Sequence, residues 1–172
     1  CAFPVFASAI EQGGGVRAIN AKGFAAKLTR KEIDRITDYA KGCGAKGLAW
    51  IRMTDQGVSS SFAKFMTEDE MNAIIKAMDA ETGDVVLIMA DSNVSALLST
   101  MGLVRIETAN RAGVEKTGFK PLWVVEFPFF EYDKDLGDFV AMHHPFTAPL
   151  DECLPYLETD KANVRAKAYD LV

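Results

Sequence analysis

Two helix starts in this chain carry the same capping signal, and each predicted helix is followed by an apolar strand. Thr29 is followed three residues later by Glu32, and Thr67 by Glu70, which is the pattern of a capping box. Apolar residues recur at helical spacing after both caps: Ile33, Ile36 and Ala40, then Met71, Ile74, Ile75 and Met78. Apolar runs predict buried strands at residues 47–53 and 83–91. Helices that alternate with strands predict one mixed α/β module.

The glycine run at residues 13–15 separates two segments near the start of the chain. The first segment is apolar, and the second alternates Val16 and Ala18 with Arg17 and Ile19. A period of two is typical of a strand, so residues 3–23 are predicted to form a β-hairpin. A phosphate-binding glycine loop needs Gly-x-Gly-x-x-Gly, or a Gly-Lys-Ser/Thr ending, before a helix, and neither is present. The turn is therefore the favoured interpretation.

The sequence changes character after a polar, glycine-containing stretch at residues 111–121. The segment "LWVVEFPFFEYD" is almost continuously aromatic or β-branched, which predicts an interior strand, and Pro128 within it predicts a bulge or the end of pairing. "KDLG", residues 134–137, predicts a turn into a return strand, "DFVAMHHPF". This antiparallel part is too short to enclose its own core. We therefore predict one domain at residues 1–118 and an incomplete second domain at 119–172.

Charge and hydropathy limit the classes of partner. The net charge of −5 argues against a protein that grips nucleic acid over its whole surface, although a local basic face is compatible with it. No apolar run approaches the roughly 18 residues of a membrane span, so no membrane partner is expected. Three well-separated cysteines, Cys1, Cys43 and Cys153, favour a reduced, cytoplasmic protein. A missing initiator Met and the apolar ending "RAKAYDLV" favour a piece excised from a longer protein.

The two histidines of the chain, His143 and His144, are adjacent and are followed by Pro145. Consecutive strand residues point to opposite faces, so the pair cannot hold one metal ion without a bulge, and no metal ligand set is predicted. No nucleophile elbow or cysteine context marks a catalytic triad, so no catalytic residue is predicted either. Residue types alone favour one packed and one hydrogen-bonded histidine. A histidine that contacts substrate at a strand end is the alternative.

Basic residues are concentrated in the predicted hairpin and first helix. They are Arg17, Lys22, Lys27, Arg30, Lys31 and Arg35. A solvated helix face is the default interpretation. The functional alternative is contact with the phosphate backbone of an RNA.

Both parts of the chain resemble one family. The segments "LWVVEFPFFEYD", "FVAMHHPFTAP" and "VRAKAYDLV" resemble the catalytic domain of bacterial-type aspartyl-tRNA synthetases. The earlier segments "GGGVRAINAKG", "LTRKEID", "YAKGCGAKGLAWIRM" and "SSSFAKF" resemble the GAD domain, which is inserted in those synthetases and also occurs in the GatB/GatE subunits of tRNA-dependent amidotransferases. The implied fold is α/β (α+β): a GAD-like mixed sheet with helices, followed by antiparallel strands from an incomplete class II synthetase catalytic domain.

The resemblance implies a parent enzyme that activates L-aspartate with ATP and Mg²⁺ and transfers it to tRNA(Asp). Carried over from the family, His143 is expected to contact the bound aspartate, with His144 in support. A tRNA contact is expected at Arg17, Lys22, Arg30, Lys31 and Arg35. The parent is expected to be a homodimer, and no cofactor is expected to bind this piece by itself.

Several motifs of the synthetase family are missing from these residues. They are the anticodon-reading OB domain, the arginine motif that clamps the ATP phosphate, and the final motif that bears glycine and arginine. We therefore expect this 172-residue piece to be inactive by itself. The alternative is a non-catalytic, tRNA-contacting GAD module, as in a GatB/GatE subunit.

Overall fold

The computed structural model describes residues 3–172, which divide into two compact units. The first unit ends at Glu115 and the second spans Lys116–Val172. The first unit contains, in chain order, α1 (Pro4–Glu11), β1 (Gly15–Ala21), α2 (Arg30–Gly42), β2 (Ala49–Thr54), β3 (Gly57–Ser60), α3 (Glu68–Ala77), β4 (Val85–Asp91) and α4 (Val94–Ala112). Whether the unit boundary is also the boundary between a GAD insert and a catalytic fragment stays a prediction.

The four strands of the first unit form one antiparallel sheet in the order β1-β4-β2-β3. Side chains alternate between its two faces, and each face has its own apolar cluster. Ile33, Leu87 and Val104 belong to the cluster that includes residues of α2 and α4, whereas Phe6 and Ile88 belong to the cluster that includes residues of α1 and α3. The predicted α/β (α+β) fold class is confirmed, and every strand pair in this sheet is antiparallel.

The predicted hairpin at residues 3–23 is wrong in its first arm. Pro4–Glu11 forms the helix α1, and only the second arm, β1, is a strand. Pro4 suits the first position of a helix because it has no N–H to leave unpaired. Phe6 and Ala9, three residues apart, are both buried on the same side of that helix. That spacing is the helical signal that the sequence analysis overlooked.

The two predicted capping boxes differ in the structure. At α3 the box is complete, since Thr67 Oγ1 accepts from Glu70 N at 3.2 Å and the Glu70 carboxylate accepts from Thr67 N at 3.0 Å. At α2 Thr29 Oγ1 accepts from Glu32 N at 3.5 Å, but the carboxylate of Glu32 pairs with Arg35 and Arg111 instead. The helix α2 therefore has only one of the two hydrogen bonds of a capping box, and the Glu32 carboxylate instead contacts α4, which carries Arg111.

Asp84 is a buried carboxylate that joins the turn after β1 to the turn before β4. Its side chain accepts hydrogen bonds from Asn20 Nδ2 at 3.0 Å, from the Gly23 amide at 2.8 Å and from the Glu81 amide at 3.1 Å. Burial raises the pKa of Asp84, but these three bonds and the nearby Lys22 outweigh it and lower the pKa below its usual value. Sequence reasoning did not single out this residue.

The second unit contains four short strands and two 3₁₀ turns. The strands are β5 (Trp123–Val124), β6 (Phe130–Asp133), β7 (Asp138–Ala141) and β8 (Asp170–Leu171), and the turns are Asp151–Tyr156 and Lys161–Asn163. β5 pairs with β8 and β6 pairs with β7, both antiparallel. The turn predicted at residues 134–137 is confirmed, and the Asp133 carbonyl accepts from the Gly137 amide at 2.9 Å.

The single interior strand predicted at "LWVVEFPFFEYD" is wrong. The segment forms two short strands, and the exposed fraction of Trp123 is 60%. Glu126 between them has a φ of 60°, in the left-handed region that side chains other than glycine rarely adopt. Pro128, next but one along the chain, makes only an isolated bridge with Arg165. The end of pairing predicted at Pro128 is therefore correct, and it divides the segment.

Two further features concern the whole described range. None of the helices in residues 3–172 is both long and apolar enough to cross a membrane. The thiols of Cys43 and Cys153 are free, and Cys1 lies outside the described residues.

Candidate functional site

His143 lies just beyond the end of β7, against the segment that links β5 and β6. The amide of Met142 donates to the carbonyl of Phe129 at 3.1 Å, which holds the chain beside that segment. His143 Nε2 lies 3.0 Å from the carbonyl oxygen of Pro128. Its ring also meets Phe127 edge to face, with 5.9 Å between centroids. The backbone and an aromatic ring therefore orient the imidazole together.

His143 lines a shallow hollow of about 400 Å³. The other lining residues are Phe127, Lys167, Ala168, Tyr169 and Asp170. Lys167 and Asp170 bring opposite charges to the hollow, and Lys167 also pairs with Asp151 at 2.6 Å. A cation, an anion and an imidazole around one hollow can hold a small molecule that bears both charges.

Sequence reasoning missed Lys167 and Asp170 as candidates for this site. The available signal was their position in "RAKAYDLV", which ends in the strand β8. Because β8 pairs with β5, these residues reach the segment that also carries Phe127. Pairing across 46 residues of sequence cannot be seen in either segment alone, as the partners Val124 and Asp170 show.

His144 is in a different environment from His143. Its side chain is exposed and is not among those that line the hollow. Nδ1 of His144 accepts from the Phe146 amide at 3.3 Å, and the two rings meet edge to face with 4.7 Å between centroids. The structure therefore brings only one of the two histidines to the hollow, and a supporting role for His144 stays a prediction.

Most of the five basic residues predicted to contact tRNA already have a carboxylate partner. Lys22 pairs with Asp79, Arg30 with Asp34 at 2.9 Å and Arg35 with Glu32 at 2.5 Å. The Arg17 guanidinium donates to the carbonyl of Val16 at 2.9 Å. Lys31 is exposed and has no ion-pair partner in residues 3–172. The five side chains thus carry less uncompensated positive charge than their number suggests.

Arg30 has a second contact that the sequence did not indicate. Its guanidinium lies over the ring of Trp50, 4.9 Å from the centroid, and Trp50 is buried. A cation over an indole face is attracted by the ring electrons. Arg30 therefore has a structural role on the sheet side of α2.

The described residues offer no obvious metal site. Within residues 3–172, no three side chains of His, Cys, Asp or Glu come together in a way that could hold a metal ion.

The comparisons with known proteins agree with both halves of the sequence resemblance. The model of the GAD domain family matches residues 6–100. An aspartate–tRNA ligase of Ruminiclostridium cellulolyticum is 51% identical over the whole chain, which covers 29% of that protein. Aspartate–tRNA(Asp/Asn) ligases of Lachnoclostridium phytofermentans and Anoxybacillus flavithermus are 48% and 46% identical over the whole chain, again 29% of each protein.

The chain thus spans about 29% of the length of the curated relatives it matches. These matches confirm the resemblance to bacterial aspartyl-tRNA synthetases, and the GAD match covers more than half of the residues. The chain belongs to the GAD domain family.

Proposed function

We propose that this chain is a fragment of an aspartate–tRNA ligase, which activates L-aspartate with ATP and transfers it to tRNA(Asp). The observation that carries the proposal is the extent of the match. Relatives with that name align with the whole chain, including residues 121–172 around His143. The alternative, a GAD module of a GatB/GatE subunit, is not favoured, because such a subunit should not carry the His-His-Pro-Phe-Thr segment.

His143 is the proposed contact for aspartate. Its ring is oriented by the Pro128 carbonyl and faces a hollow that also presents Lys167 and Asp170. Aspartate carries an ammonium group and two carboxylates, so it complements a site with both signs of charge. His144, which is exposed beside Phe146, is proposed as a support for this region rather than as a direct ligand.

ATP and Mg²⁺ belong to the proposed reaction of the parent. Mg²⁺ usually binds proteins through one or two carboxylates together with substrate phosphates and water, so the phosphates of ATP would supply part of its ligands. No step of the reaction is assigned to a metal held by this chain. We also propose that the 172-residue piece by itself does not activate aspartate.

The remaining proposals concern partners and location. Arg17, Lys22, Arg30, Lys31 and Arg35 are proposed to contact the tRNA backbone, with Lys31 the most available for it. The parent is proposed to be a homodimeric, cytoplasmic enzyme. The dimer is implied by the family resemblance, whereas the tRNA contact rests on the concentration of basic residues and the location on the three separate cysteines.

Aspartate-dependent exchange between ATP and pyrophosphate tests the proposed function. The full-length parent should catalyse this exchange with aspartate but not with asparagine or glutamate, whereas the 172-residue piece should not. A parent without aspartate-dependent exchange would contradict the proposed activity. Exchange by the piece alone would contradict its assignment as an inactive fragment.

A further inference from the structure

The ladder between β2 and β4 stops before β4 ends. Ala49 pairs with Ile88, so the next hydrogen-bonding pair in the antiparallel register would be Gly47 and Ala90. β4 continues to Asp91 and keeps its partner β1 to the end, whereas β2 begins at Ala49. One side of β4 is therefore unpaired over its last residues.

The main-chain polar groups of Ala90 point into this opening. Trp50 exchanges hydrogen bonds with Ser61, since its N–H donates to Ser61 Oγ at 3.1 Å and its carbonyl accepts from the Ser61 amide at 3.1 Å. Alternation along the strand then directs the main chain of Ala49 toward β4, and that of Ala90 toward β2. In the part of the chain that the structure describes, no hydrogen bond joins Gly47 to Ala90. A donor and an acceptor are left on each side of the opening.

A cavity of about 440 Å³ lies at this opening. Gly47 and Ala90 both line it, and Phe6 and Ala9 of α1 form an apolar wall. Lys46 and Asp91 also line it, and their Nζ and Oδ2 atoms are a loose 3.6 Å apart. The cavity therefore combines apolar walls with unpaired main-chain groups, which is the usual composition of a small-molecule site.

We propose that this cavity binds a flat heteroaromatic ring with a hydrogen-bond donor beside an acceptor, as on the edge of adenine. The N–H and carbonyl of Ala90 lie on the same side of the strand, so they complement such an edge with two hydrogen bonds. An aliphatic ligand would leave these polar groups unpaired, which costs free energy. The ring faces gain apolar contact with the α1 wall.

The base can come from a free nucleoside or from an unpaired nucleotide of RNA, because both present the same edge. This site is separate from the His143 hollow, and it does not depend on the activity proposed for the parent. Adenosine is the probe for the free form, and a short oligoadenylate is the probe for the RNA form.

Titration of the ¹⁵N-labelled chain with adenosine tests the proposal. The Gly47 and Ala90 amide resonances should shift in a saturable manner, whereas N6,N6-dimethyladenosine, which lacks the donor, should bind at least about tenfold more weakly. Larger shifts of the same two amides by oligoadenylate would identify RNA as the source of the base. Absence of saturable shifts at these amides with both probes would overturn the proposal.

A matched pair of variants tests the contact with Ala90. Ala90→Pro removes the main-chain N–H that faces the opening, whereas Ala90→Gly keeps it. This N–H points toward β2, so its removal leaves the hydrogen bonds between β4 and β1 in place. Ala90→Pro should weaken adenosine binding about tenfold, and Ala90→Gly should change it much less. Equal affinity in the two variants would contradict the contact with Ala90. The comparison of the two adenosine probes remains valid even if Ala90→Pro fails to fold.

Discussion

The imidazole Nε2 of His143 lies 3.0 Å from the carbonyl oxygen of Pro128. A carbonyl oxygen only accepts, so Nε2 carries the proton, and in the neutral ring Nδ1 is left as an acceptor. Pro128 is itself held by an isolated bridge to Arg165. The backbone therefore fixes both the orientation and the tautomer of the ring before any substrate arrives, and Nδ1 suits a donor such as an ammonium group.

Replacement of His143 in the full-length parent is expected to affect aspartate more than ATP. His143→Ala removes a polar group from the hollow, and loss of such a contact to a charged substrate costs about 2 kcal/mol. The KM for aspartate should therefore rise about 30-fold, while the KM for ATP stays within about twofold of the parent value. Steady-state pyrophosphate exchange with each substrate varied in turn measures both constants.

His144 and a second replacement of His143 provide the controls. The His144 side chain is exposed, and its only hydrogen bond within residues 3–172 is with the Phe146 amide, so His144→Ala should change the aspartate KM much less. His143→Gln retains a donor that can reach the Pro128 carbonyl, so its effect should lie between those of the parent and His143→Ala. If the parent and His143→Ala have the same KM for aspartate, His143 does not contact the substrate and only packs within the protein.

Asp84 is expected to be the most sensitive acidic residue for stability in the first unit. Its carboxylate accepts from Asn20, Gly23 and Glu81, and Asp84→Ala leaves these donors without their partner. The free energy of unfolding should fall by about 3 kcal/mol. Asp34→Ala is the matched control, because Asp34 belongs to an exposed ion pair on α2 and its loss should cost at most about 1 kcal/mol. Urea unfolding at pH 7 measures the free energy of unfolding of both variants. A similar decrease in the two would contradict the proposed importance of the three hydrogen bonds to Asp84.

The ionisation of Asp84 is expected to make the free energy of unfolding depend on pH. Because folding lowers the pKa of Asp84, its ionised form stabilises the folded state above the unfolded pKa of about 3.9, and this contribution is lost as pH falls through the folded pKa. The stability difference between the parent sequence and Asp84→Asn should be largest near pH 7 and should shrink below about pH 4. Urea unfolding of both proteins across this range checks the sign, and a difference that grows toward low pH would contradict it.

The sequence predicts the first unit better than the second for a physical reason. Most signals in the first unit are local, such as the cap at Thr67 or the apolar run of β4, and they remain correct in the structure. Pro4–Glu11 was predicted as a strand because six of its eight residues are apolar, and a short apolar run fits a strand as readily as a helix. Apolar composition alone could not distinguish the two.

The candidate site depended on pairings that no local pattern reveals. The return strand predicted at residues 138–146 ends at Ala141, and the position of His143 depends on Pro128, fifteen residues earlier in the chain. Lys167 reaches the same hollow through the pairing of β5 with β8. Asp84 was overlooked because its partners come from two separate turns, and a single aspartate before a strand carries no sequence signal of its own.

A double-mutant cycle should detect the contact that joins α2 to α4. Arg111 donates to Glu32 at 3.2 Å and to Glu107 at 2.7 Å, and all three side chains are partly buried. The cycle that combines Glu32→Gln with Arg111→Met should give a coupling energy of about 1 kcal/mol. Thermal and urea unfolding of the four proteins provide it. The pair of Arg30 with Asp34, which is more exposed, should give a smaller coupling, and a larger one would contradict this ranking.

The basic residues of the first unit are expected to contribute unequally to tRNA binding. Lys31 is exposed and has no ion-pair partner in the described range, whereas Arg35 is paired with Glu32, so Lys31 has more positive charge to offer a phosphate. Lys31→Ala should weaken binding of tRNA(Asp) to the chain at low salt and lower the slope of log affinity against log salt by about 1.

Lys41→Ala, on the same helix but outside the proposed contact, is the matched control and should leave the slope unchanged. Filter binding or fluorescence anisotropy at several salt concentrations measures the slopes. Equal slopes for Lys31→Ala and Lys41→Ala, or no binding at low salt, would remove α2 from the proposed tRNA contact.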